Sequence, residues 1–127
     1  MNVNCRDTGW VAALTEDGYR VIAVDNRGHG QSEKLYDKAR YLAPMMAEDA
    51  RRLLDHLQIE QTVVMGYSMG SRISAFLTMT NPSRVPCVVF AGMASTLLHG
   101  FGGASAIAQS FLLPRLSSFT DPDAPCP

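Results

Sequence analysis

Ser68 is the residue in this chain best placed to act as a nucleophile. Gly66-Tyr67-Ser68-Met69-Gly70 reads G-x-S-x-G. By composition alone the pattern arises in roughly one chain in twenty of this length, so its context decides its meaning. Thr62-Val63-Val64-Met65 before it is a short, apolar, β-branched run suited to a buried parallel strand. Ser71 to Met79 after it has helical spacing. A serine on a sharp strand-to-helix turn carries its hydroxyl above the sheet edge in a strained backbone conformation. Gly66 and Gly70 are expected there because a Cβ at either position would collide across the turn. A serine hydroxyl is a poor nucleophile until a base removes its proton, so the chemistry implied is covalent attack assisted by a general base.

The elements that must position this serine follow from patterning. Thr8 to Leu14 reads as a short helix with Trp10, Val11 and Leu14 on one side, and Glu16-Asp17-Gly18 as a turn. Tyr19 to Val24 reads as a strand ending at Asp25. Asn26 to Ser32 is a glycine-rich loop, and Glu33 to Leu42 is polar and irregular. A helix is expected from Pro44 to His56, with Pro44 in its first turn. Its apolar stripe is Met46, Ala50, Leu53, Leu54 and Leu57, and Glu48 and Arg52 form a favourable i,i+4 pair. Asn81-Pro82 closes the helix after the serine, and Val85 to Ala91 reads as another strand. This alternation of strands and helices predicts an α/β class with a parallel sheet and flanking helices.

Asp25-Asn26-Arg27-Gly28-His29-Gly30-Gln31-Ser32 resembles the loop after the fourth strand of α/β-hydrolase-fold proteins, D-x-R-G-x-G-x-S. Ser32 precedes Ser68 by 36 residues, with a helix and a strand between them as in that family. Asn81-Pro82-Ser83-Arg84-Val85 is similar to the family's link from elbow helix to next strand. The resemblance covers Trp10 to Gly92. Serine at position 68 resembles the esterase, lipase, thioesterase and carbon–carbon hydrolase branches; the haloalkane dehalogenase and epoxide hydrolase branches carry Asp there. The resemblance implies Ser68 as nucleophile, the Met69 backbone N–H as an oxyanion-hole donor, and a small-molecule acyl substrate. It implies no metal or organic cofactor. Tyr67 either lines the pocket or packs beneath a lid.

The resemblance also has gaps. The family's triad runs Ser, then Asp or Glu, then His. After Ser68 stand 59 residues, whose acids are Asp121 and Asp123 and whose one histidine, His99, precedes both. His99 reads as a lid-loop surface histidine rather than a displaced base, His29 as a fastening for its loop, and His56 as solvent-facing. Nothing from Met1 to Asp7 resembles the family's third strand or its His-Gly pair. That strand lies between the fourth and fifth in the family's sheet, so Tyr19–Val24 and Thr62–Met65 would lack their common neighbour. Unpaired backbone groups cost about 1–3 kcal/mol each when buried and invite self-association when exposed. The expectation is an incomplete, truncated member: a partial core over 1–93, and the start of a lid with a proline-rich tail over 94–127. Leu97, Leu98, Phe101 and Phe111 hint at an apolar pocket cover.

Composition bounds the rest. The chain has 127 residues, 46% apolar and 18% charged, with a net charge of −1. That suits one globular domain or a piece of a larger one, and makes no electrostatic case for nucleic acid. No 18-residue apolar run suggests a membrane span. Cys5, Cys87 and Cys126 read as reduced thiols of a cytoplasmic protein, with Cys87 packed as a small apolar residue. Gly28-His29-Gly30 is not a phosphate-binding fingerprint, because Glu33 stands where a third glycine belongs.

Overall fold

The computed structural model describes residues 7–92. The chain divides into two units, Met1–Tyr41 and Leu42–Pro127. The lid and tail expected over 94–127 lie outside the described residues.

In the first unit, helix α1 spans Trp10–Glu16, two residues later than the sequence pattern suggests. Gly18, with φ 87, closes it. The Gly18 N–H donates to the Thr15 carbonyl and the Tyr19 N–H to the Leu14 carbonyl, both at 3.0 Å. This is a Schellman closure, in which glycine takes the left-handed position without a Cβ penalty. Tyr19–Val24, expected as a strand, has no regular secondary structure. Its side chains have strand character, but a strand exists only by pairing with a neighbour.

The Asp25–Ser32 loop is braced by its own groups. The Ser32 hydroxyl donates to the Asp25 carbonyl at 2.5 Å, and the Gln31 N–H to the Asp25 carboxylate at 3.2 Å. The Gly28 N–H donates to the Glu33 carbonyl at 2.8 Å. His29 Nδ1 lies 3.0 Å from the Arg27 carbonyl, so His29 does fasten this loop. Within the stretch expected to be irregular, Lys38–Tyr41 forms a 3-10 turn. The Tyr41 hydroxyl there donates to the Leu35 carbonyl at 2.6 Å and accepts from the Leu35 N–H at 2.9 Å.

The second unit contains α2 (Ala43–His56), β1 (Val64–Tyr67), α3 (Met69–Thr80) and β2 (Val88–Ala91). β1 and β2 are parallel, with Val64 opposite Val88 and Tyr67 opposite Ala91. Parallel neighbours need a crossover, and α3 supplies it. α2 packs on α3, and α3 packs on both strands. Met46, Ala47 and Leu54 of α2 meet Ile73, Ala75 and Leu77 of α3 and Val85 in the core. The predicted stripe on α2 therefore contributes Met46 and Leu54, and Ala47 joins them.

Charged residues tie α2 to the segment after α3. Arg51 grips Glu48 through two bonds of 2.7 Å, and Arg52 reaches the same carboxylate at 3.2 Å. Asp55 accepts from Arg51 and, at 2.8 Å, from Arg84. Arg84 also donates to the carbonyls of Ile59 and Glu60.

Cys87, next to β2, is disulfide-bonded. This corrects the expectation that Cys87 is a reduced thiol. Sulfur pairing depends on two Cβ atoms approaching in space, which spacing along a chain does not reveal. Cys5 and Cys126 lie outside the described residues. No described helix is long and apolar enough to cross a membrane.

Candidate active site

Ser68 occupies the single residue between β1 and α3, with φ 52 and ψ −111. Gln58 is the other described non-glycine residue with positive φ. Such a backbone costs on the order of 1–3 kcal/mol, and persists only where its surroundings hold it. Its anchor is visible: the Ser68 N–H donates to the carbonyl of Ala91, at the end of β2, at 2.8 Å. The residue itself is exposed.

The two flanking glycines differ. A Cβ on Gly66 would lie 2.5 Å from both the carbonyl carbon and oxygen of Gly70, and 2.6 Å from the Ser71 nitrogen. Only glycine fits where β1 runs beneath the start of α3. A Cβ on Gly70 would meet nothing within 4 Å. The expectation of a collision there is corrected: Gly70 already belongs to α3, where its Cβ direction opens into free space.

Met69 is the first residue of α3 and 42% exposed. At that position a backbone N–H has no acceptor within its own helix, and the helix dipole adds positive potential. Tyr67 is 65% exposed. Its ring lies against Gly92, whose positive φ of 68 turns the chain there. Met65 and Val89, register partners on the same face as Tyr67, are also exposed.

Two residues near the turn were not singled out from the sequence. One is Gly92. The other is Ser71, fully buried, whose hydroxyl oxygen lies 2.6 Å from the Gly66 carbonyl and 2.9 Å from that of Ala91. It also accepts from the Ala91 N–H at 3.1 Å. Its signal was present in the helical spacing: Ser71, Ala75 and Thr78 share the buried face of α3.

The sequence offers no match to the family's triad acid and histidine, and among the described residues of its unit none is identified at Ser68. His56, exposed near the end of α2, is the one histidine there. His29 belongs to the first unit, and His99, Asp121 and Asp123 lie outside the described residues. An open cleft between Leu54, Gln58, Ile59 and Arg84 includes no residue of the turn. Among the described residues no group of three or more His, Cys, Asp or Glu is placed to hold a metal ion.

Against known proteins, the family model described as alpha/beta hydrolase fold matches residues 2–116. The chain belongs to the alpha/beta hydrolase fold family. Among curated members, it is 36% identical over 85 residues to 3-oxoadipate enol-lactonase 2 of Acinetobacter baylyi, covering 67% of this chain and 31% of that protein. It is 33% identical over 107 residues to a 2-hydroxy-6-oxononadienedioate/2-hydroxy-6-oxononatrienedioate hydrolase of Cupriavidus pinatubonensis, covering 80% and 35%. It is also 33% identical over 79 residues to epoxide hydrolase B of Mycobacterium tuberculosis, covering 62% and 22%. The chain thus spans between about a fifth and a third of the length of these alpha/beta hydrolases. No solved structure matches it significantly. A parallel pair of strands crossed by α3 is consistent with an incomplete α/β fold of this family.

Proposed function

We propose that Ser68 is the nucleophile of a serine hydrolase that cleaves an ester, thioester or similar acyl bond in a small molecule. The observation that carries this reading is the strained backbone of Ser68, φ 52, between β1 and α3. Strain of this kind gathers at functional residues. In the proposed step Ser68 Oγ bonds to the acyl carbon and its proton passes to a base. The Met69 N–H stabilises the carbonyl oxygen as it gains charge. The alcohol or thiol leaves with a proton, and water then releases the acid and restores Ser68.

An enol-lactonase among the relatives supports an acyl bond, since a lactone is an internal ester. An epoxide is not an acyl group, and in the resemblance above the epoxide-hydrolase branch carries Asp where Ser68 stands. The exposed Tyr67 is assigned to the wall of the acyl site. The triad acid and histidine are not assigned to residues of this chain; whichever base serves Ser68 carries most of the rate.

The test is incubation of the whole chain with a fluorophosphonate, read by intact mass beside Ser68→Ala. A single adduct that the substitution removes supports the reading. Turnover of a p-nitrophenyl ester that continues unchanged in Ser68→Ala overturns it.

A second reading, a non-catalytic chain that folds stably only with a partner or by pairing its strands with a second copy, is favoured by the apolar sheet face at Met65 and Val89, each more than 40% exposed. Size exclusion separates the two. A sharp monomer peak with a cooperative thermal melt argues against the second reading.

A further inference from the structure

We infer that Ser71 is a positioning residue for the turn that carries Ser68, an inference that rests on the nucleophile reading above. The strained Ser68 backbone needs an opposing hold on each side. One hold is the Ser68 N–H on the Ala91 carbonyl at 2.8 Å. The Ser71 hydroxyl supplies the other. It reaches the Gly66 carbonyl, just before the turn, and both backbone groups of Ala91, at the end of β2.

A hydroxyl has one proton and two lone pairs. It therefore donates to one carbonyl at a time, Gly66 at 2.6 Å or Ala91 at 2.9 Å, while accepting from the Ala91 N–H at 3.1 Å. The Ala91 carbonyl thus faces both Ser68 and Ser71. The groups pinned by this one oxygen sit on β1 and on β2, and Ser71 itself sits on α3, so it joins the three elements that meet at Ser68. Ser71 is fully buried, so water cannot replace it when it is removed.

A buried hydroxyl elsewhere on the same helix provides the contrast. Thr78 is also buried, and its hydroxyl donates to the Ser74 carbonyl within α3 at 2.8 Å. It braces the helix and touches neither strand-end group. Both hydroxyls contribute to stability; only that of Ser71 holds the turn.

The experiment compares the full chain with Ser71→Ala and Thr78→Ala. Fluorophosphonate labelling of Ser68 is measured per folded molecule, and amide exchange by NMR. Ser71→Ala is expected to slow labelling roughly tenfold, the loss of a buried hydrogen bond, and to speed exchange at Ala91 and Ser68 first. Thr78→Ala is expected to lower the melting temperature while leaving labelling and those two amides near wild type. Equal effects of the two substitutions, or unchanged exchange at Ala91 in Ser71→Ala, overturn the inference. The unsubstituted chain carries its own check. Its Ala91 amide must be protected, and exchange there at the unprotected rate overturns the tie without any variant. If wild-type Ser68 takes no adduct, the nucleophile reading fails by itself, and exchange at Ser68 and Ala91 decides the role of Ser71 as a hold on the turn.

Discussion

The ring of Tyr67 rests on the backbone of Gly92, so closely that a Cβ at Gly92 would sit 2.7 Å from the ring's Cε2. The ends of β1 and β2 thereby fix each other: a large side chain on one strand needs a residue without one beyond its neighbour. Gly92 also has φ 68, which L side chains rarely adopt. Gly92→Ala is expected to lose about 1 kcal/mol or more through the strained backbone alone, and to displace the Tyr67 ring. A thermal melt with ring chemical shifts of Tyr67 checks this. Unmoved ring resonances at wild-type stability would contradict the contact.

The two glycines of the G-x-S-x-G turn are expected to separate on substitution. Gly66→Ala drives a methyl into the backbone of Gly70 and Ser71 and should cost about 3 kcal/mol or more, at or beyond the upper end of overpacking costs. Gly70→Ala enters open space inside α3 and should be neutral or stabilising by up to about 1 kcal/mol through helix propensity. Melting temperatures of the pair decide it, and equal losses would place Gly70 under steric constraint after all.

Ser68 itself should limit stability. Ser68→Gly relieves the positive φ and is expected to stabilise the fold by about 1 kcal/mol. Ser68→Ala keeps the Cβ and should melt near wild type. Both should abolish fluorophosphonate labelling. A melt of Ser68→Gly below that of Ser68→Ala would show that the backbone conformation is not strained.

Acid is expected to weaken the second unit through Glu48. Hydrogen bonds from Arg51, aided by Arg52, hold the Glu48 carboxyl down to about 2, against 4.5 for the free group. Arg84, with Arg51, lowers Asp55 in the same way. Between those two values the unfolded chain binds the proton that the folded chain refuses, so the contribution of Glu48 is whole above pH 4.5 and fades as pH falls toward about 2. The pair is partly exposed, so the effect is modest and screened by salt. Glu48→Gln should lower the melting temperature modestly at pH 7 and converge on wild type as pH falls toward about 2, so that its acid limb is flatter. An equally steep acid limb in the variant would assign the fall to other groups.

Much of this was legible in single residues. Gly66, Ser68 and their flanking patterns identified the turn, because a tight strand-to-helix reversal leaves few residue types that fit. The α2 stripe showed its core face through Met46 and Leu54, since helical period and burial are both local properties. The i,i+4 pair of Glu48 with Arg52 was equally readable, although Arg51 proved the stronger partner by gripping both carboxylate oxygens.

Other features depended on neighbours distant in sequence. Tyr19–Val24 has the side chains of a strand without the pairing, and pairing belongs to two segments rather than one. Gly66 and Gly70 look alike in the motif, yet only Gly66 lies under backbone. Ser71 read as one more helical residue until folding brought Ala91, twenty positions away, to its hydroxyl. The chain by itself determined which residues could make the turn and the helices, because backbone sterics and apolar period act over a few residues. Tertiary structure alone decided which polar atoms hold Ser68 in place, because hydrogen bonds between β1, α3 and β2 form only once packing has removed the water that would otherwise take their place.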